Sequence, residues 1–167
     1  MEGIVNKVAE SGLITLDLER FYPTEEVVEL DIKDFLFMEM LLKEKEFREK
    51  LDQVEWGIYK NKIVAVCCST EAIIPMWAYM LVSTKLAPHA REIILGNKKE
   101  TTEKAIEKKI EQLDVEPFRE KRVVVKGCGD IEIPPSAYLT ISNKLLPVVK
   151  SLMYGEPCST VPVYKKK

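Results

Sequence analysis

Four of the 167 residues are cysteines: Cys67, Cys68, Cys128 and Cys158. Two of them head the same tripeptide, Cys68-Ser69-Thr70 and Cys158-Ser159-Thr160. Thiolates are soft ligands and good nucleophiles. Three converging on one point would suit zinc, ferrous iron or an iron–sulfur cluster, with Asp130 or Glu156 as a fourth ligand. Two within reach of each other would suit thiol exchange or a persulfide carrier, with Cys68 as nucleophile and Cys128 or Cys158 resolving it. The spacing narrows this little. Cys67 and Cys68 are adjacent, so no C-x-x-C or zinc-finger pattern is present. The single histidine, His89, follows Pro88 and reads as an exposed polar residue. No G-x-S-x-G elbow, P-loop or G-x-G-x-x-G loop occurs.

The elements that must carry these residues follow from hydrophobic periodicity. "KIVAVC" (62–67), "EIIL" (92–95) and "RVVVKG" (122–127) are short apolar runs that read as buried strands. Residues 72–87 are apolar on almost every face and predict a largely buried helix with Trp77 in the core, capped by Ser69 or Thr70 with Pro75 near its start. Residues 100–113 predict a surface helix with Ile106, Ile110 and Leu113 inward. A further helix over 137–146 is expected after a Ser136 cap, with Pro147 kinking or restarting it. Helical spacing also runs through Ile32, Phe35, Leu36 and Met40, and Phe47, Leu51 and Val54 share one face over 43–54.

Strands alternating with helices predict an α/β fold: a single domain with a mainly parallel sheet, helices on both faces and three layers in all. Residues 1–31 form an N-terminal extension with extra strands at 12–18 and 27–32, as a hairpin or a two-strand addition. Residues 154–167, stiffened by Pro157 and Pro162, form a docked C-terminal tail. No repeat beyond the tripeptide is read from the sequence. Ligands bind at the carboxyl ends of parallel strands. That places Cys68 and Cys128 on one sheet edge and requires the tail to bring Cys158. Cys68, ahead of a helix N-terminus, would be the reactive thiol. Cys67 points into the core and Gly-Cys-Gly at 127–129 reads equally well as a tight turn.

A net charge of −2 argues against nucleic acid and acidic membranes as partners. No signal peptide is visible, and the apolar run Ile73–Val82 is shorter than the roughly 20 residues that span a bilayer. Cysteines this sparse do not make a disulfide framework, so a cytoplasmic protein with reduced thiols is expected.

The segments "WGIYKNKIVAVCCSTEAIIPMWAYM", "RVVVKGCGD" and "AYLTISNKLLPVVKSLMYGEPCSTVPVYKKK" resemble the bacterial proteins grouped as domain of unknown function 2480. The resemblance covers nearly the whole chain and implies no established activity. It implies a gene neighbourhood close to iron–sulfur cluster assembly, hence assembly proteins as partners, and it selects Cys68, Cys128 and Cys158. Three readings stand: a metal or iron–sulfur accessory protein, a thiol enzyme or persulfide carrier, and a non-catalytic interaction module whose cysteines only pack.

Overall fold

The structure, a computed structural model, describes residues 12–127, 129–156 and 158–167. Among the described residues, seven strands and four α-helices follow one another along the chain. In order they are β1 (Leu13–Asp17), β2 (Val27–Asp31), α1 (Glu44–Asp52), β3 (Ile63–Cys67), α2 (Met76–Leu86), β4 (Glu92–Leu95), α3 (Lys98–Glu111), β5 (Arg122–Lys126), α4 (Pro135–Leu145), β6 (Ser151–Glu156) and β7 (Ser159–Lys165). The α/β class and the parallel pairing agree with the sequence reading. The strands are divided, however, between two sheets, ordered β1-β5-β6-β7 and β2-β3-β4. Among the described strand pairs only β6–β7 is antiparallel.

Each sheet belongs to its own compact unit. The first comprises residues 1–22 and 105–167, the second residues 23–104. In the first, Val123 and Val125 of β5 pack with Ala137, Ile141 and Leu145 of α4, and with Ile106 and Ile110 of α3. In the second, Val64 and Val66 of β3 pack with Ala78, Val82 and Leu86 of α2, and with Phe47 and Leu51 of α1. The helical faces follow the i, i+4, i+8 spacing in both.

The two units are copies of one design. From Lys62 and from Lys121 the chain matches itself over 35 positions at a constant separation of 59 residues, with 12 identities. β3 and β5, and α2 and α4, keep that separation at both ends. A proline stands at the N-cap of each helix, Pro75 and Pro134. Asn61 and Glu120 both have positive φ, as do Gly96 and Gly155. Asn61 N–H donates to His89 O and Glu120 N–H to Val148 O, the same bond 59 residues apart. Asp17 and Asp31 each end the first strand of a unit and accept an amide two residues on, from Glu19 and Lys33, both at 3.0 Å.

This repeat overturns the reading that none exists beyond the Cys-Ser-Thr tripeptide. It also shows the tripeptides to be unrelated: Ser69 matches Cys128, while Cys158 and the strand β7 that follows it have no counterpart among the described residues of the second unit.

Other expectations shift for local reasons. β1 and β2 do not form a hairpin; each pairs in parallel with a different sheet. The helical pattern from Ile32 to Met40 gives only a 3₁₀ turn over Ile32–Phe35, and Met40 is exposed. α2 starts at Met76 without a side-chain cap, so neither Ser69 nor Thr70 caps it. Ser136 lies inside α4 rather than capping it, and Pro147 follows its end instead of kinking it. The tail docks as β7, an edge strand, where Pro162 is tolerated because only one side of β7 is paired.

Candidate functional site

Cys67 ends β3, in register with Asp31 at the end of β2. Burial, with Asp31 and then Glu29 nearby, pushes the Cys67 thiol up to about 11. It is therefore a poor thiolate at neutral pH. Cys68 is half-buried. Its sulfur donates to Thr70 O at 3.6 Å and lies 3.5 Å from Thr70 Oγ1. The loop is held from below as well, because Asp31 Oδ1 accepts the amide of Ser69 at 3.1 Å. Cys68 is eight positions ahead of Met76, where α2 begins. Helix-dipole effects fade within the first turn, so the activation argument for Cys68 falls.

Cys158 is exposed in the turn between β6 and β7 of the first unit, whereas Cys68 belongs to the second. Cys128 lies outside the described residues. β3 and β5 are in different sheets, so the shared sheet edge assumed for Cys68 and Cys128 does not exist. Asp130 is exposed. Glu156 is engaged by Lys126, whose Nζ lies 3.3 Å from Glu156 Oε1 and 3.8 Å from Asp17 Oδ2. Among the described residues, no group of three or more His, Cys, Asp or Glu side chains is placed to hold a metal ion.

Two surfaces stand out instead. In the first unit a pocket of about 380 Å³ lies between α4 and the sheet, lined by Val125, Tyr138, Ser142, Leu152, Tyr154 and Val163 among others. The Tyr138 and Tyr154 rings meet edge to face at 5.8 Å. β7 supplies one wall through Val163.

The second unit carries the same positions as Val66, Tyr79, Ser83, Ile93 and Leu95, with no strand in place of β7 among the described residues. Among the described residues, the outer edge of β4 pairs with no strand, and Leu95 is 60 % exposed. On α2 Met76 (70 %) and Met80 (68 %) are exposed, as is Ile73 (92 %) ahead of the helix. This corrects the reading of α2 as largely buried. Only Ala78, Val82 and Leu86 are sealed, and Trp77 is half-buried against Phe47, ring centroids 5.9 Å apart. Residues 72–82 contain no charge, a pattern that fits burial and an exposed docking face equally well.

The chain belongs to the family described as "Protein of unknown function (DUF2480)", whose model matches residues 2–166. No curated protein and no solved structure matches. Among the described residues, no helix is long and apolar enough to cross a membrane.

Proposed function

We propose that this protein is a non-catalytic interaction module whose working surface is the open side of the second unit, and that it takes an extended polypeptide strand there. The observation that carries this reading is internal to the chain. Two copies of one βαβ design differ chiefly in that β6 is covered by β7, while β4 has no such cover among the described residues. An uncovered edge beside apolar side chains is a ready template for strand addition. Unpaired apolar patches on a helix mark contact surfaces. Methionines such as Met76 and Met80 suit such a surface, because their flexible thioethers adapt to a partner. Cys67 and Cys68 then pack rather than react, and the three cysteines seen among the described residues, all unpaired, fit a reducing cytoplasmic setting.

The competing proposal is a thiol-based metal or iron–sulfur-handling protein using Cys68, Cys128 and Cys158. It draws support from the exposure of Cys158 alone. Panning a displayed library of random peptides against the wild-type chain and Leu95→Lys separates the two. Enriched peptides that bind the wild type and lose binding in Leu95→Lys support the module. No enrichment, or binding indifferent to Leu95→Lys, contradicts it. So does zinc or iron retained at stoichiometry in protein purified without oxygen and lost in Cys68→Ser.

A further inference from the structure

We infer that the cavity between α4 and the sheet of the first unit is a binding site for a neutral, planar aromatic small molecule carrying one hydroxyl or carbonyl group. The inference concerns the first unit alone and stands apart from strand addition at β4.

A defined irregularity builds the cavity. Along β6 and β7, Leu152 pairs with Tyr164 and Met153 with Pro162, so Val163 is an extra residue on β7, a β-bulge. A bulge re-aims a side chain, and bulges gather beside functional sites. This one puts Val163 into the cavity wall, together with Val125 and Leu152 of the sheet and Tyr138 and Ser142 of α4. The second unit keeps Val66, Tyr79 and Ser83 at matching positions, but among the described residues it has no strand in place of β7 to close the wall. The cavity volume of about 380 Å³ falls at the lower end of small-molecule sites, roughly 300–1,000 Å³.

The lining sets the chemistry of the occupant. Among the described residues, no charged side chain lines the cavity. Nor does a charge occur in the segments of α4, β6 and β7 that form its walls, 137–143, 151–155 and 159–164. An ion placed there would lose water without gaining a counter-charge, so the ligand is neutral. Tyr138 and Tyr154 meet edge to face at 5.8 Å, and a third ring extends such a cluster with the same favoured geometry. The Tyr138 ring is held from behind, because its hydroxyl sits against Gly127 in space that a Cβ there would fill. Ser142 is half-buried, and its hydroxyl has no hydrogen-bond partner among the described residues. A wholly apolar ligand would shut that hydroxyl off from water unpaired, whereas one with a hydroxyl or carbonyl group satisfies it.

The experiment is calorimetric titration of the full chain with naphthol and with its anionic relative naphthoate. It uses wild type, Ser142→Ala, Val163→Phe and Met38→Ser, with thermal unfolding by circular dichroism as a check on folding. The expected result is one naphthol bound per chain with a dissociation constant below about 1 mM. Naphthoate should bind at least about tenfold more weakly. Ser142→Ala should weaken naphthol about three- to tenfold. Val163→Phe, which fills the cavity, should weaken it at least about tenfold. Met38→Ser removes an apolar side chain that is 77 % exposed in the second unit and should leave binding unchanged. A wild type that takes up no naphthol overturns the inference, as does naphthol bound equally well by Ser142→Ala and Val163→Phe, or naphthoate bound as tightly. Loss of binding in Met38→Ser would place the aromatic on exposed surface and sink the cavity. Should Val163→Phe unfold, Ser142→Ala decides alone. None of these outcomes bears on peptides selected at Leu95, so the two readings stand or fall separately.

Discussion

Asp31 and Ser69 are 38 positions apart in sequence, and the Asp31 carboxylate accepts the Ser69 amide at 3.1 Å, tying the end of β2 to the loop that leaves β3. The same carboxylate accepts from Lys33 N at 3.0 Å. Partial burial pushes its pKa up. The Ser69 side chain and amide, with the Lys33 amide, outweigh that and hold it below the usual carboxylate value. The cysteine-bearing loop is thus fixed by an acid whose task is structural.

Asp31→Ala should cost about 1 kcal/mol, the usual loss for a capping acceptor, measured by urea titration. The pH dependence has a definite sign. A depressed folded pKa means that the stabilisation is present above the unfolded value of about 3.9 and is lost as pH falls through the lower folded value. Asp31→Asn should therefore flatten the stability curve on its acid side and leave its slope at neutral pH unchanged. An unchanged acid limb would mean that Ser69 is held by other groups.

The thiols should alkylate in order of access. Exposed Cys158 should react first and Cys67 last. The Cys67 rate should climb only as pH nears about 11. For the same reason, Cys67 lowers stability as pH rises between the ordinary thiol range, about 8.5, and its folded value, because only the unfolded chain can ionise there. Peptide mapping after iodoacetamide pulses at several pH values tests both the order and the pH onset. Fast labelling of Cys67 at neutral pH would contradict its burial.

Phe47 is fully buried and meets both Phe35 and Trp77 edge to face, at 6.1 and 5.9 Å. Phe47→Ala should cost about 3–5 kcal/mol. Half-buried Trp77, with Arg48 over its ring at 5.3 Å, should cost less on truncation, about 1–2 kcal/mol. The reverse ranking in denaturant titrations would show that α2, not α1, is the central helix of its unit.

The repeat also yields an unequal pair. Gly155 has φ +120°, and a Cβ there would meet the backbone oxygen of Ser159 at 2.5 Å. Gly96 has φ +142°, and its Cβ would meet mainly the Glu100 side chain, which can move. Gly155→Ala should cost at least about 2 kcal/mol and Gly96→Ala distinctly less. Equal losses would mean that the β6–β7 turn can relax.

The sequence exposed most of the elements and little of their arrangement. β3, β4 and β5 stand where their apolar runs end, and Phe47, Leu51, Ile106 and Ile110 face inward as their spacing requires. Which strands share a sheet was hidden. The second unit is inserted into the first after Tyr22, and the 12 identities that reveal the copy are mostly apolar or small residues scattered over 35 positions. The cysteines drew attention to strand ends, yet periodicity carries no information about which sheet a strand joins. Met76 and Met80 were misread because an uncharged helix looks the same whether its outer face meets the protein's own core or a partner.

The open side of the second unit is tested most directly by amide hydrogen exchange, comparing β4 with β6. β6 lies between β5 and β7 and should be well protected. β4 should exchange more readily and gain protection when a selected peptide is added. A β4 as protected as β6 in the chain alone would mean that its edge is already filled, and a β4 unchanged by a peptide that binds would contradict strand addition.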